Sequence, residues 1–323
     1  MGKGSAAKYA ASGVSKTITN YKLQIISLAR QINVFAFICV LCVLGGKIAF
    51  AQNEVELYFI QKVNLGNVEE KRDALFHLRN FESEKASRIA APALRDKAEI
   101  VRATAAFSVI FLPKEEAAQA LVPLLQDKSE LVRREAAYAL GKVRNPNTIN
   151  ALLQILQKDK ILAVRAASAV ALGEIGDASA IDALTRILQR KPKDEEEFLR
   201  RSAARSIGQI AQIIQTGKVK VRTPENFFLE KYKPIEKPTY INLIETFPPF
   251  RAANDVLMQV LQNPREFADV RREAAFALGE IADESAIPVL RANLNAEDYY
   301  LAEISQESLR KISAYELYEK LDK

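Results

Sequence analysis

Val132-Arg-Arg-Glu-Ala-Ala-Tyr-Ala-Leu-Gly-Lys-Val143 and Val270-Arg-Arg-Glu-Ala-Ala-Phe-Ala-Leu-Gly-Glu-Ile281 are two copies of one phrase in a chain of 323 residues. Counting from the opening valine, small residues follow at places four and five, and aliphatic ones at eight and eleven. Val101-Arg102, Val164-Arg165 and Leu199-Arg200 open further copies. Weaker ones begin at Glu70, with Leu78 and Phe81, and at Leu301, with Leu309 and Ile312. The starts at 70, 101, 132, 164, 199, 270 and 301 lie 31 to 35 residues apart, with one gap of 71. A period near 31 predicts a solenoid, and the long gap predicts one repeat plus an insertion of about 40 residues.

At about 100° per residue, places 0, 4, 7, 8 and 11 share one face, so each phrase predicts an amphipathic helix. Second apolar runs lie between them, such as Ala117-Ala-Gln-Ala-Leu-Val-Pro-Leu-Leu125 and Ala180-Ile-Asp-Ala-Leu-Thr-Arg-Ile-Leu188. Each repeat is thus a helix pair whose faces are buried only by stacked neighbours. Gly141, Gly173, Gly208 and Gly279 share one register position, near the point where each helix is expected to end.

Period, Val-Arg opening, Ala-Ala core and Leu-Gly-x-Ile closing together resemble HEAT repeats, in the short phycobilisome-lyase-type form, over about 70 to 313. The resemblance implies an all-α, right-handed α-solenoid of about seven HEAT-like helix pairs. Asp96, Asp127, Asp159 and Asp194 each lie six residues before a repeat arginine, Arg102, Arg133, Arg165 and Arg200. This is similar to the family's Asp–Arg ladder, a structural device. The pattern lapses at Arg271, where Arg265 stands at the acid position, and at the last repeat, with Ala296 and Ala302. A weakened joint at the insertion and a C-terminal cap are expected.

Ahead of the repeats, residues 1–51 hold six of the 46 basic residues and none of the 40 acidic ones, which leaves 40 of each in the remainder. The net charge of +6 therefore belongs to the N-terminal segment, and a nucleic-acid partner is not expected. Val34 to Gly46 is free of charge and too short to span a bilayer, yet suits the apolar core of an export signal. Ala49-Phe50-Ala51 fits a cleavage site, giving a signal peptide over 1–51 and a solenoid over 52–323, exported to a periplasmic or extracellular space. The alternative is an uncleaved anchor, the one case in which the membrane is a partner. Cys39 and Cys42 both fall in the signal.

His77 is the single histidine, so a His-dependent triad or a four-ligand zinc site has no material to draw on. The di-iron hydroxylases of the HEAT class need His-Glu pairs that this chain lacks. No metal, no cofactor and no catalytic residue is expected. No Gly-rich phosphate loop is present, and Lys191 to Glu197 reads as a solvated turn with acids at a helix start. Position six of the phrase, away from the buried stripe, carries Phe76, Phe107, Tyr138, Val170, Arg205 and Phe276, and position two adds Arg134, Arg201 and Arg272. Aromatics beside arginines make a protein-binding composition. In HEAT folds this second helix lines the concave surface.

Phe107, Tyr138, Arg205, Phe276, Arg134, Arg201 and Arg272 are therefore the candidate partner-binding residues, set against packing of the rings on neighbouring helices. The insertion, about 215–250, holds five prolines and six aromatics and reads as an ordered loop with a short strand at 218–222. The function expected is a non-catalytic extracytoplasmic scaffold for a protein or peptide. The alternatives are a bilin-lyase-like or chromophore-binding protein, as the repeat type implies, and a membrane-tethered adaptor. Bilin lyases act on cytoplasmic phycobiliproteins, which an exported chain would not meet.

Overall fold

A computed structural model describes residues 48–217 and 241–321. The chain divides into two compact units, Met1–Gln61 and Lys62–Lys323. Of the first, only the beginning of helix α1 (Ile48–Leu65) is described, and the expected cleavage point falls in its first turn. The rest of the expected signal, and the strand expected at 218–222, lie outside the described residues. Among the described residues no helix is long and apolar enough to cross a membrane.

The second unit contains seven helices that carry the repeated phrase. They are α2 (Val68–Asn80), α4 (Glu99–Ser108), α6 (Glu130–Val143), α8 (Leu162–Ile175), α10 (Glu197–Thr216), α13 (Ala268–Ile281) and α15 (Tyr299–Leu321). Their partners are α3 (Glu84–Ala90), α5 (Lys114–Leu121), α7 (Ile149–Lys158), α9 (Ile181–Leu188), α12 (Pro249–Gln262) and α14 (Ile287–Arg291), and a single short turn, α11 (Leu243–Thr246), precedes α12. No strand occurs among the described residues. The helices stack in sequence order as a HEAT-type solenoid: α2 on α4, α4 on α6, α6 on α8, α8 on α10, α10 on α13, α13 on α15.

Alanine makes the stacking close. In α6, Val132, Ala136, Ala137, Ala139, Leu140, Gly141 and Val143 are buried, which is the predicted stripe and two residues more. The repeated glycines lie near the helix ends, as expected, in α6, α8 and α13, each two residues before the last; α10 runs eight residues past Gly208, and none of the four is itself the cap. A Cβ on Gly141 would stand 2.8 Å from the Ala171 Cα, and one on Gly208 would stand 2.6 Å from the Phe276 ring. Glycine is there so that consecutive helices can touch. The true ends come later, at Arg144, Gly176 and Ala282, all with positive φ, followed by Asn145, Asp177 or Asp283, whose side chain accepts the N–H two residues on.

The turns between partner and phrase helices carry the ladder. Arg102 donates Nε and Nη2 to the two oxygens of Asp127, and its Nη1 to the carbonyls of Asp96 and Lys97. Arg133 does the same with Asp159 and the Asp127 and Lys128 carbonyls. Lys71 supplies the first rung, to Asp96 at 2.6 Å. Each arginine thus holds its own turn by backbone and the next repeat by carboxylate. The Arg102 guanidinium holds the Asp127 carboxyl below its ordinary range. Arg133→Ala should cost about 1–3 kcal/mol, the penalty for hydrogen-bonding groups left without a partner; an unchanged thermal midpoint would show the rung to be ornamental.

Two ladder positions differ from expectation. Asp194 is exposed in the turn before α10 and forms no rung. Arg165 instead donates Nε to the Leu156 carbonyl, and burial, then the neighbouring Arg190, push its pKa downward. The phrases opening at Val164 and Leu199 lie 35 residues apart, against 31 or 32 in the repeats before, and Asp194 falls outside the joint in this longer repeat. At the insertion the joint is not weak. Arg200, 1% exposed, clasps both oxygens of Glu266, itself fully buried, and donates to the carbonyls of Ile187, Leu188 and Arg190. Consequently α10 packs on α13 as extensively as α8 packs on α10, and α9 packs on α12. The amide of buried Gln215 bonds both the N–H and the carbonyl of Ile241, so the insertion leaves and re-enters at one point.

Candidate partner-binding face

The phrase helices leave one side outside the core, and the residues singled out on it have distinct fates. Phe76 on α2 is 56% exposed. Phe107 on α4 is half-buried, with the Arg79 guanidinium 4.9 Å above its ring centre. Around them Phe76, Arg79, Ile100, Phe107, Leu131 and Glu135 line an open, mostly apolar hollow of about 250 Å³ on α2, α4 and α6. Tyr138, one turn along α6, is half-buried, and burial raises its phenol pKa.

Phe276, half-buried like Phe107 and Tyr138, also packs within the stack. Its ring covers Gly208 of α10, and Lys311 of α15 lies 5.6 Å over its centre. The position-six wheel missed this because a helix inside a layer has a neighbour on each flank.

Every arginine expected as an anchor already holds a carboxylate. Arg134 pairs with Glu135 at 3.1 Å, Arg201 with Asp269 at 3.1 Å and Arg205 with Glu273 at 3.0 Å. Arg272 pairs with Asp298 at 2.9 Å and with Asp269 at 2.6 Å. The pairs of Arg201, Arg205 and Arg272 form a neutralised band from α10 across α13 to the turn before α15, and Arg134 is neutralised separately on α6, so a row of free cations is not what this face offers. Arg272 and Asp298 also replace the ladder at the last joint, where Arg271 turns to the Leu261 carbonyl and Asn293. Sequence reasoning overlooked Arg79, Ile100 and Leu131, although Arg79 and Phe107 sit at regular places in adjacent repeats.

Among the described residues no group of His, Cys, Asp and Glu could hold a metal ion. His77 lies on α2 with Asp73 3.5 Å away, one turn back on the same helix.

Among curated proteins no relative matches this sequence. Solved structures that resemble it include an engineered protein, 19% identical, covering 80% of this chain and 68% of its own, at a TM-score of 0.47. The complex of CpcE and CpcF of phycocyanin lyase from Nostoc sp. PCC7120 is 18% identical, with 80% and 94% covered and a TM-score of 0.45. A designed armadillo repeat protein in complex with the peptide (KR)4 is 18% identical, with 79% and 98% covered and a TM-score of 0.42. Likenesses at this level say nothing of activity. The sequence-family comparison is decisive for kinship: a model of HEAT repeats matches residues 86–172, 122–208 and 239–310, together more than half of the chain and bridging most of the stacked helices described above. This chain therefore belongs to the HEAT-repeat family.

Proposed function

We propose that this HEAT-repeat protein is a non-catalytic scaffold that holds a protein or peptide on the exposed side of its phrase helices. The observation that carries the reading is the hollow on α2, α4 and α6, where an exposed phenylalanine and half-buried aliphatic side chains face solvent on a rigid stack. Exposed apolar surface of this kind stabilises the protein only when something covers it. A partner pulled down by the wild type should be lost with Phe76→Ala, weakened by about 2 kcal/mol or more as for an interface anchor. The thermal midpoint should stay put, because that ring is more than half exposed. Undiminished capture by Phe76→Ala and by Tyr138→Ala would defeat the reading.

The compartment we propose is extracytoplasmic, on the strength of the acid-free, basic segment 1–51 and its short apolar run. Sequencing the mature chain should find Gln52 at its N-terminus. Recovery of exported protein with residues before Val34 intact would instead make the segment an anchor and the protein a tethered adaptor.

A further inference from the structure

Four cations stack on aromatic rings among the described residues, and three of them also hold a carboxylate. Arg201 lies 5.1 Å over Phe198 and bonds Asp269. Arg272 lies 5.3 Å over Tyr300 and grips Asp298 through Nε and Nη2. Lys311 lies over Phe276 and bonds Glu280 at 2.7 Å. The fourth, Arg79 over Phe107, pairs with no carboxylate of the described residues.

The chemistry of the stack explains the company it keeps. A guanidinium lying on a ring spends its face on the π-cloud and keeps its N–H donors in its own plane. The ring also fixes the side chain, so less rotamer freedom is lost when an anion docks edge-on. A carboxylate in that plane forms the strongest class of hydrogen bond available to a neutral-pH side chain. Both other arginine stacks, Arg201 and Arg272, meet that demand from within the chain, and the Lys311 ammonium holds a carboxylate too; Arg79, exposed at the end of α2, does not.

The surroundings of Arg79 define the rest of the ligand. It forms one rim of the apolar hollow, with Phe76, Ile100 and Leu131 beside it. Glu135 marks the far rim, but its charge is answered by Arg134. The hollow therefore carries one unanswered positive charge at one end and apolar surface along its floor. We infer that its occupant is an acidic, apolar peptide segment of a protein partner: a large apolar side chain seated over Phe76 and Leu131, and an adjacent Asp or Glu on Arg79. This inference rests on the scaffold reading and names its partner class.

The test uses fluorescein-labelled Gly/Ser peptides carrying a central Glu-Phe, Gln-Phe, Lys-Phe or Glu-Ser pair, titrated by anisotropy against the full chain. Glu-Phe should bind about ten-fold more tightly than Gln-Phe, and Lys-Phe and Glu-Ser more weakly still. On Arg79→Gln the preference for Glu over Gln should vanish, and Arg79→Lys should restore only part of it, since lysine lacks the planar fork. Arg79 is exposed at a helix end, so both variants should fold as the wild type does. Equal binding of Glu-Phe and Gln-Phe, a preference that survives Arg79→Gln, a best ligand of Lys-Phe, or no binding by any probe each overturns the acidic partner. If Phe76→Ala still loses a captured partner in those cases, the scaffold reading stands alone; if it does not, both fall.

Discussion

Glu266→Ala is expected to remove about 3–5 kcal/mol of stability, the range for breaking a buried ion pair from one side. Arg200 and Glu266 are 1% and 0% exposed, so the orphaned guanidinium has no water to turn to. Its bonds to the carbonyls of Ile187, Leu188 and Arg190 would remain, but these are neutral acceptors and leave a whole charge uncompensated. Desolvation of that charge is the dominant cost, and it exceeds anything gained from the methylenes kept in place. Replacing both partners by apolar residues of similar volume, Arg200→Met with Glu266→Leu, should recover most of the loss, because such exchanges are often neutral. Chemical denaturation of the single and double variants checks both statements. A Glu266→Ala change no worse than Arg133→Ala, whose rung is more open to solvent, would mean that the insertion joint does not depend on its ion pair.

That joint also shows where the sequence was legible and where it was not. The repeat period, the helix pairs and the Ala-Ala stripe follow from side-chain periodicity, which the chain displays twelve residues at a time in Val132 to Val143 and Val270 to Ile281. The ladder was half legible. A spacing of six joins each arginine to the carbonyl of its own turn aspartate, whereas the carboxylate it grips lies 25 or 26 residues ahead, as in Arg102 with Asp127 and Arg133 with Asp159. Both bonds come from one guanidinium, so counting along the chain could not separate them. Where Arg265 occupies the acid position, Glu266 takes over: one residue later in the turn, and one methylene longer. Where the repeat itself is longer, 35 residues, Asp194 forms no rung and Arg165 is left to a carbonyl.

The candidate face was legible as a composition but not as a set of free groups. Arginines at positions two and six of one repeat meet acids at other positions of the next across the stack, Arg201 with Asp269 and Arg205 with Glu273, through contacts separated by 68 residues. A single-helix wheel carries no information about that partner. The same limit hid the packing of Phe276 on Gly208, and it hid the hollow, which three helices build together.

Phe250 supplies the second large effect. By composition it belongs to the aromatic, proline-rich insertion, where a ring could as well serve a ligand as the core. In the structure it opens the second residue of α12, fully buried, with Phe247 edge-on at 6.4 Å and its own N–H donated to the Phe247 carbonyl. Leu243 of α11 is buried in the same segment, and the Gln215 clamp on Ile241 holds the chain as it arrives. Phe250 therefore acts as the plug that docks the re-entering chain onto the solenoid. Truncation to alanine should cost about 3–5 kcal/mol, the usual toll for a core phenylalanine and the cavity it leaves. Phe247→Ala should cost less, because that ring is only half-buried. Phe250→Leu should restore most of the loss, since a buried aliphatic refills part of the space. Thermal and urea melts of the three variants decide the matter: a Phe250→Ala chain that melts with the wild type would return this ring to the insertion and leave α12 docked by its aliphatic stripe alone.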